Sequence, residues 1–217
     1  FRTPLTSILS SAELIQRYGK KWSEEKYNTH INKIKTSVEY LTRLMDDVLT
    51  ISRSESGKIM FKPSTVDLHK FCTEIIDEIK ANLISSHNLI FKYSMRKKMF
   101  SLDPQLLKFI IINLLSNAIK YSPMGGKIKF VVESIKNSIK ISVSDQGIGI
   151  PDEDKKHLFE PSYRSANTND IPGTGLGLSI VKHAVDLHGG KIKVNSKIGE
   201  GTSFTIEIPK QQKENKN

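Results

Sequence analysis

The sequence lacks several features that would point directly to a compartment or a partner. Cys72 is the only cysteine among 217 residues, so an internal disulfide is impossible and a reducing compartment is expected. No apolar run reaches the 18 residues of a membrane-spanning helix. The net charge of +10 would suit nucleic acid, but the lysines are spread along the chain and no five like charges are adjacent. We therefore expect neither a membrane-spanning segment nor a nucleic-acid partner.

Two antiparallel helices are predicted at the start of the chain, over residues 1 to 57. Residues 23 to 56 carry apolar side chains at steps of four and three, with Ser23 as the N-cap and Gly57 as the end. Residues 5 to 15 repeat this spacing, and residues 18 to 21 provide a turn. The apolar stripe of the second helix comprises Tyr27, Ile31, Ile34, Val38, Leu41, Met45 and Val48. This spacing is typical of a helical bundle or a coiled coil.

The two arms of this hairpin differ in length. About 34 residues of helix span about 51 Å, whereas the first arm offers about 18 residues, or about 27 Å. Either a second protomer covers the exposed stripe, or the first helix continues upstream of Phe1, or both. Thr3 and Pro4 would instead make a good helix start, with Thr as N-cap and Pro at the first helical position. We favour a truncated helix kinked at Pro4, because the two arms differ so much in length, and the missing initiator Met also suggests a piece of a longer protein.

Residues 58 to 209 predict a second domain of mixed helices and strands. Helices are expected at residues 67–83, 103–121 and 176–187, and strands at 88–95, 128–132, 139–143, 192–194 and 204–208. Five or six strands with three or more helices suit a two-layer α/β sandwich, so the whole chain is α+β. The polar tail, residues 210–217, is expected to be disordered.

Four polar side chains interrupt an apolar helix and share one arc of it: Asn113, Asn117, Lys120 and Tyr121. An amide oxygen suits Mg²⁺, which shares its shell with waters and phosphates, so Asn113 is the candidate metal ligand. Asn117 and Lys120 would assist at the phosphates, and Tyr121 would lie against a planar base. The alternative is that the two asparagines only bond the local backbone.

A carboxylate at the end of a strand precedes two glycines, in the order Asp145-x-Gly147-x-Gly149. An ionised Asp only accepts hydrogen bonds, and the exocyclic amine of adenine donates one, whereas guanine has a carbonyl at the same place. The glycines would let a flat ligand approach the backbone closely. The alternative is a plain Asp-Gly turn after the strand.

A glycine-rich segment, residues 173–177, leads into a helix and comprises Gly173, Thr174, Gly175, Leu176 and Gly177. Free backbone N–H groups before a helix attract phosphate, although the segment is neither a P-loop nor a Rossmann fingerprint. The polar stretch before it, residues 161–172, predicts a mobile lid over a nucleotide. Arg164 in that stretch could reach the terminal phosphate; the alternative is a solvated loop arginine.

These segments together resemble the ATP-binding domain of sensor histidine kinases, which has the Bergerat, or GHKL, fold. The resemblance covers Phe1 to Pro209 and rests on the order Asn113-x-x-x-Asn117, Asp145-x-Gly147-x-Gly149, LFEPSYR, Gly173-x-Gly175-x-Gly177 and Gly199-Glu200-Gly201-Thr202. The opening FRTPLTSIL is similar to the downstream part of the phosphoacceptor box, on the first helix of a dimerising hairpin.

The resemblance implies a role for each matching residue. Asn113 would bind Mg²⁺, Asp145 would read adenine, and Thr202 would join the adenine end of the site. The glycine-rich segment would belong to an ATP lid. Thr3 would orient a water that dephosphorylates the partner regulator, with a plain N-cap as the alternative.

The resemblance also implies an activity. A homodimeric four-helix bundle would carry a histidine that receives the γ-phosphoryl group of ATP and passes it to an Asp of a response regulator receiver domain. The chain would be a cytoplasmic kinase core, with the membrane anchoring of its parent left open. Two other classes remain: a related ATPase of the gyrase, MutL or heat-shock chaperone kind, and a dimerisation module that binds ATP without turnover.

Two departures from the family pattern stand out. The acceptor histidine and its acidic neighbour would immediately precede Phe1, and none of the six histidines in the chain has that context. His188 lies at a helix end and is expected to be structural. Ser162 stands where family members commonly have an aromatic residue, which would loosen docking of the lid on the hairpin.

Overall fold

A helical hairpin opens the chain and an α/β unit follows it. The structure is a computed structural model that describes residues 1–55, 61–81, 83, 86–168, 171 and 173–210, without the side chains of residues 43 and 46–55. The chain divides into two compact units, Phe1–Lys58 and Ile59–Asn217. The predicted α+β class, a helical hairpin followed by a two-layer sandwich, is confirmed.

The hairpin consists of α1, Arg2–Tyr18, a 3₁₀ turn at Gly19–Lys21, and α2, Glu24–Glu55. The Ser23 hydroxyl accepts the Lys26 N–H at 3.4 Å, as an N-cap does. The small Ser11 is buried at 4% exposure, whereas large apolar side chains on both helices remain exposed. Those exposed by more than a third are Phe1, Leu5, Leu9, Leu14, Tyr18, Tyr27, Val38 and Met45. The chain alone therefore leaves much of its predicted stripe uncovered.

Thr3 is not the N-cap of α1. The helix already includes Arg2, its N-cap is Phe1, and Thr3 lies exposed in the first turn with Pro4 after it. A proline in the first turn removes no N–H that the helix needs, so Pro4 is compatible with a helix that begins before it. The predicted end of α2 at Gly57 lies outside the described residues.

The α/β unit contains one five-stranded sheet and a small two-stranded sheet. Its elements are β1 Ser64–Asp67, α3 Leu68–Ala81, β2 His87–Ser94, β3 Met99–Leu102, α4 Pro104–Lys120, β4 Gly126–Ile135, β5 Ser138–Ser144, α5 Gly177–Leu187, β6 Lys191–Lys197 and β7 Gly201–Pro209. The large sheet has the order β2-β4-β5-β7-β6 and is antiparallel except for the β2–β4 pair, and β1 pairs with β3. The sequence missed β1 and β3.

The core lies between one face of the large sheet and the helices. Alternate residues of β4 and β5, such as Phe130 and Ile141, are fully buried, and so are Ile110 and Ile111 of α4. The Asp103 carboxylate caps α4, because its Oδ1 accepts the N–H groups of Gln105 and Leu106 at 3.0 and 3.1 Å. Asp103 and Pro104 therefore begin α4 where the sequence predicted.

Lys210 belongs to the folded unit, although the sequence placed it in a disordered tail. Its N–H donates to the Asn137 carbonyl at 2.8 Å, and its ammonium group donates to Ser134 and to the Lys136 carbonyl at 2.6 Å each. The rest of that predicted tail, residues 211–217, lies outside the described residues.

His188 is buried at 1% exposure and joins the end of α5 to the start of α4. Its Nδ1–H donates to the Ala184 carbonyl at 2.7 Å, and its Nε2 accepts the Asp103 N–H at 3.2 Å. The bond from the Asp103 N–H requires the neutral ring, because an imidazolium has no acceptor. Burial lowers the pKa of His188, which the bond to Ala184 and the nearby Asp103 carboxylate partly offset. The predicted structural role of this histidine agrees with these contacts.

We expect the α/β unit to lose stability as the pH falls below about 6.5. The unfolded chain then binds a proton at position 188 that the folded state resists, so the free energy of unfolding decreases as the pH falls. Urea unfolding at a series of pH values measures this slope. His188→Gln should flatten it, and His183→Gln, a change on the same helix, should leave it in place. An unchanged slope in His188→Gln would contradict the assignment.

Candidate functional site

Asp145 follows β5 and lies against the start of β7. Its Oδ1 accepts two backbone N–H groups, from Gly147 at 2.9 Å and from Thr202 at 3.1 Å, while its own N–H donates to the Thr202 carbonyl at 2.8 Å. Burial raises the pKa of Asp145, and the two hydrogen bonds act in the opposite direction. Within the described residues Oδ2 makes no hydrogen bond. The backbone therefore fixes the position of one oxygen and with it the orientation of the whole carboxylate.

The glycines beside Asp145 are required by the packing of the protein's own backbone. A Cβ on Gly147 would lie 2.1 Å from the Tyr121 carbonyl oxygen, which also accepts the Ile148 N–H at 3.0 Å. Gly149 has a φ of +71° and would place a Cβ 2.0 Å from the Lys197 carbonyl oxygen. The sequence had explained both glycines by the approach of a ligand alone.

The predicted polar arc of α4 is present, and its members contact one another. Asn117 donates through Nδ2 to the Oδ1 of Asn113 at 3.1 Å. Lys120 donates to the Tyr121 hydroxyl at 2.9 Å and lies 4.4 Å from the centre of that ring. All four side chains are partly buried. The arc therefore combines amide, ammonium and aromatic groups in one place.

The glycine-rich segment lies directly against this arc. A Cβ on Gly177 would meet Asn113 Nδ2 at 2.4 Å, and a Cβ on Gly173 would meet Lys120 Nζ at 2.5 Å. Within the segment, the Leu176 N–H donates to the Thr174 hydroxyl at 3.2 Å just before α5 begins. A larger residue at either position would push these side chains away, so the structure brings together two motifs that are about 60 residues apart in the sequence.

Arg164 contacts the backbone of the predicted lid. Its guanidinium donates to the Thr168 carbonyl at 2.7 Å and to the Ile171 carbonyl at 2.5 Å. The contact of Arg164 with a terminal phosphate therefore stays a prediction. The neighbouring Ser162 is exposed and has a φ of +63°, and Gly175, with a φ of +73°, packs against its carbonyl carbon.

Asp154 is a buried carboxylate near the site that the sequence did not single out. It accepts hydrogen bonds from the Tyr163 hydroxyl, at 2.6 Å, and from the Ser165 hydroxyl. These bonds lower the pKa of Asp154, and the Asp154 carboxylate raises the pKa of Tyr163 to about 12. Asn167 donates to the Gly149 carbonyl at 3.0 Å. The sequence shows Asp154 only as part of an acidic run, which resembles any exposed turn.

The remaining predicted residues fall at two separate places. Thr202 is buried at 8% exposure beside Asp145, and its hydroxyl lies 2.8 Å from that of Ser196. Thr3 belongs to the hairpin unit and is exposed. Among the described residues, no group of three or more His, Cys, Asp or Glu side chains could hold a metal ion. No helix in that part of the chain is long and apolar enough to cross a membrane.

Comparison with known families gives the same picture as this geometry. Residues 102–212 match the family described as "Histidine kinase-, DNA gyrase B-, and HSP90-like ATPase", and residues 1–57 match the "His Kinase A (phospho-acceptor) domain". This chain belongs to the sensor histidine kinase family. Its α/β unit therefore has the GHKL-type ATPase fold, as the resemblance implied.

Three relatives illustrate the extent of the similarity. The circadian input-output histidine kinase CikA of Synechococcus elongatus is 33% identical over 97% of this chain, which spans 28% of that protein. Histidine kinase AdeS of Acinetobacter baumannii is similar in structure, with a TM-score of 0.75, 25% identity and 97% of both chains covered. The structure of histidine kinase ThkA in complex with response regulator protein TrrA matches with a TM-score of 0.72 and 26% identity, over 97% of this chain and 58% of that one.

Proposed function

We propose that this chain is the core of a histidine kinase that binds Mg-ATP and transfers the γ-phosphoryl group to a histidine of the hairpin. The observation that carries the proposal is the contact of the glycine-rich segment with Asn113 and Lys120, beside the half-bonded carboxylate of Asp145. Because this chain spans 28% of CikA, we assign the activity to the core and leave the signal open. The domains we propose are the hairpin, residues 1–57, and the ATP-binding domain, residues 58–209.

Adenine would bind at the Asp145 end. Oδ1 is held by two backbone N–H groups, so Oδ2 is oriented to accept a hydrogen bond from the exocyclic amine of adenine. Thr202, whose N–H donates to that carboxylate, would lie at the adenine end of the site. The Tyr121 ring would lie against the base. A guanine carbonyl would face Oδ2 with two acceptors opposed, so the site favours ATP over GTP.

The phosphates and Mg²⁺ would bind at the other end. An amide oxygen suits Mg²⁺ that takes its other ligands from phosphate and water, so Asn113 would hold the ion, and Asn117, which contacts it, would assist at the phosphates. The ion would neutralise charge on the transferred group. Lys120 and the N–H groups of residues 173–177 would bind the phosphates and orient the γ-phosphoryl group for attack. Arg164 would join them after leaving the carbonyls that it contacts.

The hairpin would form a homodimer and meet a response regulator. Large exposed side chains such as Leu5, Leu9 and Val38 would be buried when two hairpins form a four-helix bundle. Complex formation with a response regulator is recorded for ThkA, and we extend it to a receiver domain that takes the phosphoryl group on an Asp. Thr3 would orient a water that hydrolyses the phosphoryl group from the response regulator. ATP and the single Cys72 fit a cytoplasmic core.

A phosphotransfer assay tests this proposal. A longer version of the protein that includes the residues upstream of Phe1 is incubated with γ-labelled ATP and Mg²⁺. We expect an acid-labile phosphohistidine that Asp145→Asn abolishes at ATP concentrations near the wild-type dissociation constant, because this change weakens ATP binding. ATP hydrolysis without phosphoprotein would favour the gyrase-like class instead, and ATP binding without either reaction would favour the dimerisation module.

A further inference from the structure

Two aspartates that lie two residues apart on the same turn have opposite surroundings. The Asp152 side chain is 94% exposed and pairs only with Lys155 among the described residues. Asp154 is 8% exposed, and its two oxygens accept hydrogen bonds from Tyr163 and Ser165. A buried carboxylate is costly unless it is fully hydrogen-bonded, so these two donors are the reason that Asp154 can be buried.

The residues that Asp154 holds form a bonded strap, which we define as residues 163–168. Within it, the Thr168 hydroxyl donates to the Ser165 carbonyl at 2.6 Å and the Ser165 hydroxyl lies 2.7 Å from Asn167 Oδ1. Asn167 then donates to the Gly149 carbonyl at 3.0 Å. One end of the strap is therefore fixed to the segment that begins with Asp145.

The other end of the strap touches the glycine-rich segment. A Cβ on Gly175 would lie 3.0 Å from the Tyr163 carbonyl oxygen, so the two backbones are in close contact. Gly173 and Gly177, on either side of Gly175, contact Lys120 and Asn113. The strap thus links the two parts of the candidate nucleotide site, and Asp154 is the group that holds the strap in place.

We propose that Asp154 is a positioning residue for ATP, which acts through the strap to keep Gly149 and Gly175 in the places that nucleotide binding requires. This inference rests on the proposed function. Among the described residues the Asp154 carboxylate bonds to Tyr163 and Ser165 and not to Asn113 or Asp145, so we expect it to change the affinity for the nucleotide. The lowered pKa of Asp154 keeps it ionised, and therefore a double acceptor, at neutral pH.

The test compares matched substitutions by titration with ATP and by melting temperature. Asp154→Asn replaces one acceptor oxygen by a donor, so it should weaken ATP binding about 10-fold, the effect of one lost hydrogen bond to a charged group. In the longer protein, KM for ATP should rise by a similar factor while kcat stays within about twofold. Asp152→Asn on the same turn should bind ATP like the wild type. Tyr163→Phe and Ser165→Ala, which keep the carboxylate, should each weaken binding by a smaller factor.

If Asp154→Asn folds poorly, Tyr163→Phe and Ser165→Ala still test the inference, because both keep the carboxylate and each removes one of its hydrogen-bond donors. Where Asp154→Asn folds, its combination with Tyr163→Phe should weaken binding by less than the product of the two single effects, because both changes act through the same side chain. Unchanged ATP affinity in Tyr163→Phe and Ser165→Ala, or melting temperatures that fall without any change in affinity, would overturn the inference and leave the proposed function intact. Failure of the wild type to bind ATP would overturn both.

Discussion

Asp145→Asn should weaken ATP binding by at least about 30-fold while the fold is preserved. The asparagine Oδ1 can still accept the N–H groups of Gly147 and Thr202, so the local backbone keeps its bonds. Its Nδ2 then replaces the oxygen that we expect to accept from adenine, and two donors face each other. A hydrogen bond to a charged group is worth about 1.5–3 kcal/mol, and an opposed pair of donors adds to this loss. Calorimetric titration with ATP measures the change.

The same substitution should reverse the preference between bases. The asparagine amide can donate to the guanine carbonyl, so Asp145→Asn should bind GTP relatively better than the wild type does. Asp186→Asn, at a surface carboxylate that pairs with Lys182, serves as the matched control and should leave both affinities unchanged. Equal loss of ATP and GTP affinity, with the fold intact, would argue that Asp145 does not read the base.

Gly147→Ala should destabilise the α/β unit by at least about 3 kcal/mol and abolish ATP binding. The added methyl group would lie 2.1 Å from the Tyr121 carbonyl oxygen and 2.9 Å from Asp145 Oδ1, and the first of these is backbone that a rotamer change cannot relieve. The end of α4 and the Asp145 segment would have to separate, which moves both ends of the proposed site. A fall in melting temperature of about 6–12 °C is expected for a domain of this size.

Gly199→Ala is the matched control for this effect. Gly199 has a φ of +75°, but a Cβ there meets nothing within 4 Å, so only the backbone preference is lost. We expect a cost of about 1 kcal/mol and normal ATP binding. If Gly147→Ala proved as mild as Gly199→Ala, the packing of Gly147 on Tyr121 would not be the reason for glycine at position 147.

Local patterns predicted most of the fold. The steps of three and four in α1 and α2 and the alternation in β4 and β5 repeat over enough residues to define each element. β1 and β3 were not predicted, because each is four residues long and β1 runs directly into the helix that begins at Leu68. The ordered position of Lys210 was not predicted, because its bonds to Ser134 and Lys136 join residues about 75 positions apart.

The motif residues of the site could be named from the sequence because their chemistry is unusual where they occur. Asn113 and Lys120 interrupt an apolar helix, and Asp145 precedes two glycines. Their mutual distances could not be predicted, since Gly177 meets Asn113 only in the folded chain. Asp154 could not be recognised, because nothing in the sequence distinguishes it from Asp152, and only its buried bonds do so.

The position of β7 in the large sheet has a consequence for synthesis on the ribosome. β7 follows the other four strands of this sheet in the sequence, yet it lies between β5 and β6 and supplies the Thr202 N–H that fixes Asp145. Until residues 201–209 leave the exit tunnel, β6 has no strand to pair with and β5 presents an open edge. A nascent chain therefore holds nearly all the motif residues before β7 is available, and the backbone bonds of Asp145 are completed only when β7 has been translated.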